Sequence, residues 1–212
     1  MARHAILGAG GIGGLIGAAL AKFGDEVTLV VRKEALNTHP RTLKLESAFG
    51  NFSVPVNVAA EVDDDYDVLW VTTKATQLES ALKSVKSFEE IGAIVPLLNG
   101  IDHVALLRER YGRERVVPAT ISVEAERVSP GQIAHRSPFS RLNVAASGRD
   151  RLGESVEKLS RFGMECKFIE NEATLLWGKL VFLGPFALST SAAGTPIGGV
   201  RDDPQANARL RT

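Results

Sequence analysis

The glycine pattern near the N-terminus is the feature that most constrains the fold. In "HAILGAGGIGGLIGAALAKFG", Gly8, Gly10 and Gly13 form the pattern G-x-G-x-x-G. The apolar "HAIL" before it reads as a buried strand, and apolar residues at helical spacing follow it up to Gly24. The β-branched "EVTLVVR" then predicts a second strand, so residues 4–32 predict a βαβ unit.

This glycine spacing has a physical use in dinucleotide binding. The first glycine makes the tight turn, the second lets a pyrophosphate approach the backbone, and the third lets helix and strand pack closely. Free N–H groups at the helix start would face the phosphates. The same letters also occur in ordinary glycine turns, but the strand-turn-helix context favours dinucleotide binding. We therefore predict that Gly8, Gly10, Ile12 and Gly13 bind the cofactor.

The end of the second predicted strand indicates which dinucleotide is bound. NAD-binding proteins usually carry an acid there, which accepts hydrogen bonds from the ribose 2′-OH. Here the strand ends "VVRK", with Arg32 and Lys33 and no carboxylate. Because cations suit a 2′-phosphate, we predict NADP(H) as the cofactor and Arg32 as one of its ligands. The alternative is that both cations belong to a solvated loop.

The strand-helix alternation continues along "YDVLWVTTK", "QLESALKSV", "AIVPLLNG" and "HVALLRERYG". Such alternation predicts an α/β fold with a mostly parallel, doubly wound sheet of the Rossmann type. Between Glu124 and Ala146 the pattern predicts antiparallel strands at one edge of that sheet. After Asn171 it predicts helix, loop and helix. We therefore predict an NADP-binding Rossmann domain over residues 1–170 and the start of an α-helical substrate or dimerisation domain over 171–212.

Composition argues against several classes of function. Lys+Arg and Asp+Glu both number 25, so no basic surplus points to nucleic acid or an anionic membrane. The single cysteine, Cys166, excludes an internal disulfide and a CxxC site and fits a cytoplasmic setting. His4, His39 and His103 are too scattered for a metal site, and no metal is expected. No apolar run has the length expected of a membrane span.

Two later strands end in polar residues that fit a cofactor site. "VTTK" places Lys74 at one strand end, and "LLNG" places Asn99 at another. In doubly wound sheets ligands bind at the carboxyl ends of the strands, so both side chains would point into the cleft for nicotinamide and substrate. The alternative for each is a structural role, such as capping the next helix or closing a turn.

Lys179 is the third candidate, because it lies in the nearly apolar run "LLWGKLVFLGPFAL". A charge in apolar surroundings is costly unless it is paired, exposed or used. On a helix, Leu175, Phe182 and Leu183 share its face. Their burial would lower the pKa of the lysine toward the working pH, as a general acid requires. The alternative is a lysine whose stem covers apolar surface while its ammonium reaches water.

These motifs, together with "ATISVEAERVSPGQIAH" and "AAGTPIG", occur in an order and spacing that resembles the ketopantoate reductases, or 2-dehydropantoate 2-reductases. The resemblance spans the whole chain. It implies that NADPH delivers hydride to the C2 ketone of a 2-keto acid, 2-dehydropantoate, giving pantoate for pantothenate and coenzyme A synthesis. It further implies that Lys179 is the general acid and that Lys74 and Asn99 help hold cofactor and substrate.

The chain departs from that family pattern in several places. The family has asparagines where this chain has Leu183 and Ala187, and Gly184 with Pro185 is expected to interrupt the helix. The family also continues with further helices, so the chain is expected to be truncated. A reductase for a more apolar keto acid and a non-catalytic NADP-binding module are therefore alternatives. A homodimer would cover apolar surface on the unpaired helices.

Overall fold

The computed structural model of the chain describes residues 1–211. Its strands are β1 (Arg3–Leu7), β2 (Glu26–Val30), β3 (Thr42–Ser47), β4 (Phe52–Pro55), β5 (Asn57–Ala59), β6 (Tyr66–Val71), β7 (Ile91–Pro96), β8 (Ala119–Ser122), β9 (Ala125–Ser129), β10 (Gln132–His135), β11 (Arg141–Ala145) and β12 (Glu165–Ile169). Its α-helices are α1 (Gly11–Lys22), α2 (Leu78–Leu82), α3 (Asp102–Tyr111), α4 (Arg149–Phe162), α5 (Glu172–Ala193), α6 (Ile197–Asp202) and α7 (Pro204–Arg211).

The main sheet has five parallel strands in the order β5-β2-β1-β6-β7. Both faces are buried, which is why its strands read as continuous apolar runs. In β6, for example, Trp70 packs in the cluster that contains α1, whereas Leu69 packs in the cluster that contains α2 and α3. Because the strands are parallel, their carboxyl ends lie at one edge, where the predicted polar residues follow them. The predicted Rossmann-type fold is confirmed.

The antiparallel strands predicted between residues 124 and 146 are present, but their placement was partly wrong. The β9–β10 hairpin joins β3 and β4 in a separate four-stranded sheet, which packs on α1. Of the strands between residues 124 and 146, only β11 lies beside the main sheet. It is the central strand of a three-stranded sheet, between β8 and β12. A bridge from Ile94 to Val116 connects that three-stranded sheet to β7. The alternation of apolar and polar residues predicts which face of a strand is buried, but it does not predict which sheet the strand joins.

After β12 the chain is helical, and α5 is its main element. Asn171 caps α5, since its Oδ1 accepts a 2.9 Å hydrogen bond from the Thr174 N–H. The predicted interruption at Gly184 and Pro185 was wrong, because the helix continues through both residues to Ala193. Proline removes only one hydrogen bond of the helical ladder, and the bonds on either side remain. The boundary between the two domains stays a prediction.

Helix α5 is also apolar enough to warrant a second interpretation. With a mean hydropathy of 1.3, it is the one helix among residues 1–211 that length and composition would allow to cross a membrane. However, its polar side chains are bonded to the sheet-bearing part of the protein, Glu172 to Arg108 and Lys179 to the Ile121 carbonyl. These contacts dock the N-terminal half of α5 on the sheet-bearing part of the protein, although Leu175 is its only buried residue.

A buried charged network lies at the opposite edge of the sheet from the polar strand ends. The Asp25 carboxylate accepts hydrogen bonds from the Lys158 ammonium (2.7 Å), the Ala2 N–H (2.9 Å) and His4 Nε2 (3.2 Å). The indole N–H of Trp70 donates to His4 Nδ1, so the His4 proton lies on Nε2. Burial alone would raise the pKa of Asp25, but the bonds from His4, Lys158 and Ala2 hold it well below its usual range.

Replacement of Asp25 should therefore be costly. We expect Asp25→Ala to lower the free energy of unfolding by about 3–5 kcal/mol at pH 7, because Lys158, His4 and the Ala2 N–H would lose their buried carboxylate and Lys158 would keep only the exposed Glu154 as a partner. Urea denaturation measures the loss. Since the folded pKa lies below the unfolded value of about 3.9, this stabilisation is present at neutral pH and disappears as the pH falls toward the folded pKa.

A matched control is available in the same network. Glu154 also contacts Lys158, one helical turn away, but its side chain is 65% exposed. Glu154→Ala should leave the denaturation midpoint almost unchanged. Equal effects of the two variants would contradict the assignment of the stability to the buried carboxylate.

Candidate active site

The glycine turn leads from β1 into α1, and the surroundings of its three glycines restrict a side chain to different degrees. Gly8 has φ +110°, which disfavours any side chain. A Cβ on Gly13 would lie 2.2 Å from the Gly8 carbonyl oxygen, so only glycine lets α1 approach the turn this closely. A Cβ on Gly10, by contrast, would meet no atom within 4 Å.

The open side of this turn fits a phosphate. Gly10 is the N-cap residue of α1 and, as a glycine, has no side chain to bond the first N–H groups. The first turn of the helix has no acidic residue. The N–H groups of the first helical turn therefore lie at the positive end of the helix dipole without a neighbouring acidic side chain from that turn. Ile12 lies in the same turn, but its side chain packs against the core.

Thr72 holds the turn in place, and sequence reasoning missed it. Its Oγ1 donates to the Gly8 carbonyl at 2.7 Å and lies 3.2 Å from the Leu7 carbonyl. Thr72 directly follows β6, the neighbour of β1 in the sheet. The side chain thus ties the ends of β1 and β6 together beside the glycine turn. The sequence "VTTK" shows a threonine at the end of a predicted strand. Only the pairing of β6 with β1 shows that this threonine can bond the glycine turn.

The two cations after β2 are not equivalent. Lys33 Nζ lies 3.2 Å from Glu61 Oε1, which is also 3.9 Å from Lys86 Nζ. The Arg32 side chain is exposed, and within residues 1–211 it forms no ion pair. Arg32 is therefore the cation that is free to receive an anionic ligand. Lys33 would first have to leave its carboxylate.

Lys179 and Asn99, which sequence placed eighty residues apart, are in direct contact. The Lys179 ammonium donates to Asn99 Oδ1 at 2.9 Å and to the Ile121 carbonyl at 2.7 Å. Asn99 follows β7 at the carboxyl edge of the main sheet, and Ile121 lies in β8. Burial lowers the pKa of Lys179, as expected for a half-buried ammonium. Pairing with neutral oxygens compensates little of that effect.

A second polar contact fixes the start of α5. Arg108 Nη2, on α3, donates to both carboxylate oxygens of Glu172 at 2.8 and 2.9 Å. Glu172 lies two helical turns before Lys179, so the two contacts hold the same face of α5. The only fully buried side chain of α5 is Leu175, which lies between them. Polar bonds therefore determine where Lys179 lies.

The remaining candidates lie outside this contact. Lys74 follows β6, next to β7, but its side chain is exposed and has no hydrogen bond to Asn99 or Lys179. Leu183 is half-buried one turn beyond Lys179, and Ala187 is exposed one turn further. Phe182 and Phe186 lie along the same side, with their ring centroids 5.9 Å apart. The surface of α5 beyond the lysine is thus apolar.

The parallel sheet with a glycine turn between β1 and α1 places this protein in the class of proteins with a Rossmann-type domain. Comparison of sequences narrows this class, because residues 4–148 match the family described as "Ketopantoate reductase PanE/ApbA". The chain belongs to this family. The resemblance seen in the sequence motifs is confirmed.

Individual relatives are distant. The 2-dehydropantoate 2-reductase of Pyrococcus horikoshii is 30% identical over 203 residues, which cover 92% of this chain and 62% of the relative. The chain thus spans less than two thirds of that relative's length. Among solved structures, 2-dehydropantoate 2-reductase from Geobacter metallireducens GS-15 superposes with a TM-score of 0.84 at 22% identity, covering 99% of this chain and 71% of that one. D-mandelate dehydrogenase with NADH and anilino(oxo)acetate gives a TM-score of 0.80 at 21% identity, covering 98% and 70%.

The different roles of the glycines generate a paired prediction. Gly10→Ala should fold normally, because its φ of −89° suits alanine and its Cβ meets open space. It should weaken NADPH binding by about tenfold or more, since the methyl group would occupy the phosphate space. Gly13→Ala should instead lower the free energy of unfolding by about 1–3 kcal/mol through overpacking. Calorimetric titration and thermal denaturation separate the two effects. A Gly10→Ala variant that binds NADPH normally would place the phosphates elsewhere.

Proposed function

We propose that this protein reduces a 2-keto acid with NADPH, in the cleft between the carboxyl edge of the main sheet and α5. The carrying observation is the Lys179 ammonium, half-buried and bonded to Asn99 at the edge where a nicotinamide would lie. A nicotinamide cofactor is in keeping with the family. The choice of NADP, the substrate and the roles of individual residues are proposals.

The residues at the turn fit the proposed cofactor. Gly10 leaves room for a pyrophosphate, the start of α1 presents N–H groups, and Arg32 is a free cation for a 2′-phosphate. Lys74, at the next strand end, would add a positive charge on the nicotinamide side. When bound, NADPH supplies the hydride.

Lys179 fits the role of proton donor. An ammonium has three N–H donors, and two of them already bind Asn99 and Ile121. The third is available for the carbonyl oxygen of a keto acid. Hydride addition at C2 would turn this oxygen into an alkoxide, which Lys179 would protonate. The lowered pKa of the lysine makes that transfer easier, whereas Asn99 keeps the ammonium aimed at the oxygen.

Asn99 would also orient the substrate side of the reaction. Its Oδ1 is occupied by Lys179, so its Nδ2 group is left to donate to the substrate carboxylate or to the nicotinamide amide. This division of one side chain between two partners explains why an asparagine suits the position. An aspartate could accept from Lys179 but could not donate.

2-Dehydropantoate is the leading substrate because of the family. One observation favours a more apolar keto acid: Leu183, Phe182 and Phe186 follow Lys179 along α5, and none of them can hydrogen-bond a substrate hydroxyl. The related D-mandelate dehydrogenase binds anilino(oxo)acetate, which carries an aromatic group. A keto acid with an apolar side chain would match this surface without leaving a polar group unpaired.

The function is tested by following NADPH consumption with a panel of 2-keto acids, including 2-dehydropantoate, phenylglyoxylate and 4-methyl-2-oxopentanoate. Lys179→Ala should lower kcat by about 100-fold to 10,000-fold, the usual contribution of a general acid. NADPH affinity should change little. The preferred keto acid decides between the polar and the apolar substrate.

Two further variants control for charge and for lysine loss. Lys179→Arg keeps the positive charge but cannot donate its proton readily, so it should be almost as inactive as Lys179→Ala. Lys167→Ala removes an exposed lysine on β12 and should retain full activity. Binding of NADPH without turnover of any keto acid would favour the non-catalytic module instead.

Cofactor preference is tested at the adenosine end. Arg32→Ala should weaken NADPH binding by about tenfold to 100-fold while NADH binding stays the same, because a charge-assisted bond to the 2′-phosphate is lost. Lys33→Ala should have a smaller effect, since Lys33 is paired with Glu61. Titration of each variant with both cofactors measures the difference. Equal losses for NADPH and NADH would contradict a phosphate-specific role for Arg32.

A further inference from the structure

Glu61 lies at the corner of the main sheet where the adenosine end of the proposed cofactor would bind, and none of the roles above uses it. Strand β5 pairs with β2 in parallel, and the Val31 N–H donates to the Ala59 carbonyl at 2.9 Å. Glu61 therefore follows β5 beside the end of β2, where Arg32 and Lys33 lie. In doubly wound sheets the residues at the end of β2 contact the adenosine ribose.

A cavity of about 310 Å³ opens between these two strand ends. Its lining residues are Lys33 and Leu36 on the β2 side and Ala59, Ala60, Glu61 and Asp63 on the β5 side. The volume lies at the lower end of the range of small-molecule sites, about 300–1,000 Å³. The leucine and the two alanines provide apolar surface for a purine ring, and the charged side chains lie around the same space.

The Glu61 carboxylate keeps Lys33 occupied. Lys33 Nζ lies 3.2 Å from Glu61 Oε1, and Lys86 Nζ lies 3.9 Å from the same oxygen. The Lys33 side chain is 72% exposed and that of Glu61 is 31% exposed, so the lysine is the partner with more freedom to move. Arg32, in contrast, forms no ion pair within residues 1–211. The two neighbouring cations thus differ because of one carboxylate.

A carboxylate at this corner affects the two nicotinamide cofactors differently. NADPH carries a 2′-phosphate on the adenosine ribose, which is drawn to cations and repelled by a like charge. NADH carries a hydroxyl there, which NAD-binding proteins usually bond to an acid at the end of β2. This chain has no acid at the end of β2, but Glu61 brings one to the same corner from the adjacent strand. Arg32 and Glu61 therefore act in opposite directions.

We propose that Glu61 is a specificity-determining residue for the cofactor, which lowers the preference for NADPH over NADH. It holds Lys33 away from the 2′-phosphate and adds a negative charge beside it, so Arg32 is left as the one free cation at the end of β2. The inference rests on the proposed function for the position of the cofactor, because it concerns the adenosine end of the same site.

The test is titration of the purified protein with NADPH and with NADH, measured by calorimetry. Glu61→Gln keeps the size of the side chain and removes its charge. NADPH should bind about threefold to tenfold more tightly, because Lys33 is released and the like charge is gone. NADH should not gain affinity, since it has no 2′-phosphate and the glutamine oxygen can still accept its hydroxyl. An unchanged ratio of the two dissociation constants, or a shift toward NADH, would overturn the proposal.

Asp63→Asn is the matched control. Asp63 lines the same cavity, but its side chain is exposed and forms no ion pair with any residue between 1 and 211. Its loss should change the ratio of dissociation constants by less than about twofold, because an exposed charge without a partner is screened by salt. If Asp63→Asn shifts the ratio as far as Glu61→Gln, the total charge of the cavity sets the preference and the specific role of Glu61 is overturned.

Binding is measured without turnover, so this inference and the reductase function can fail separately. If no keto acid is reduced but the ratio shifts in Glu61→Gln, the reductase function fails and the role of Glu61 stands. If a keto acid is reduced and the ratio is the same in the wild type and in Glu61→Gln, the role of Glu61 fails alone. A wild-type protein that binds neither cofactor would overturn both.

Discussion

The close approach of α1 to the turn after β1 is the constraint on which the rest of the structure depends. At Gly13 the helix lies so near the Gly8 carbonyl that no Cβ fits. Thr72 then bonds the same carbonyl from the next strand, so turn, helix and β6 are fixed as one unit. Of the three glycines in the motif, only Gly10 has room for an added Cβ atom. The open surface at which we propose the cofactor phosphates bind is thereby produced by packing of the chain itself.

Helix α5 is attached to the rest of the protein mainly by polar contacts. The sheet and α1 are held by extensive apolar burial, whereas α5 buries a single leucine completely and depends on Lys179, Asn99, Glu172 and Arg108 for its position. The bonds that would orient the proposed proton donor are therefore also the bonds that dock its helix. Lysine in this place fixes the helix, and under the proposed function it would also supply the proton, which would explain why an ammonium lies in an apolar run.

Much of this arrangement could be predicted from sequence, and the misses have a common cause. The glycine turn and the strand-end Asn99 were predicted because both depend on local spacing. The contact of Lys179 with Asn99 was inferred only as a shared cleft, and its third partner, the Ile121 carbonyl, carries no side-chain signal. Thr72 was missed because its role depends on carbonyl groups that are distant from it in sequence. The second sheet was misplaced for the same reason, since strand pairing is a long-range choice.

Pro185 lies in α5 between Lys179 and the last two turns of the helix. Lys179 precedes the proline by more than a turn, and the contacts at Asn171, Glu172 and Asn99 all lie on that N-terminal side or at the lysine itself. The lost hydrogen bond of Pro185 involves the carbonyl one turn earlier, so any adjustment falls on the part of the helix that follows the lysine. That part carries Phe186, whose ring lies 5.9 Å from that of Phe182. Under the proposed function, an adjustment at Pro185 would therefore affect the part of α5 that faces the keto-acid side chain, while Lys179 keeps its contacts with Asn99 and Ile121.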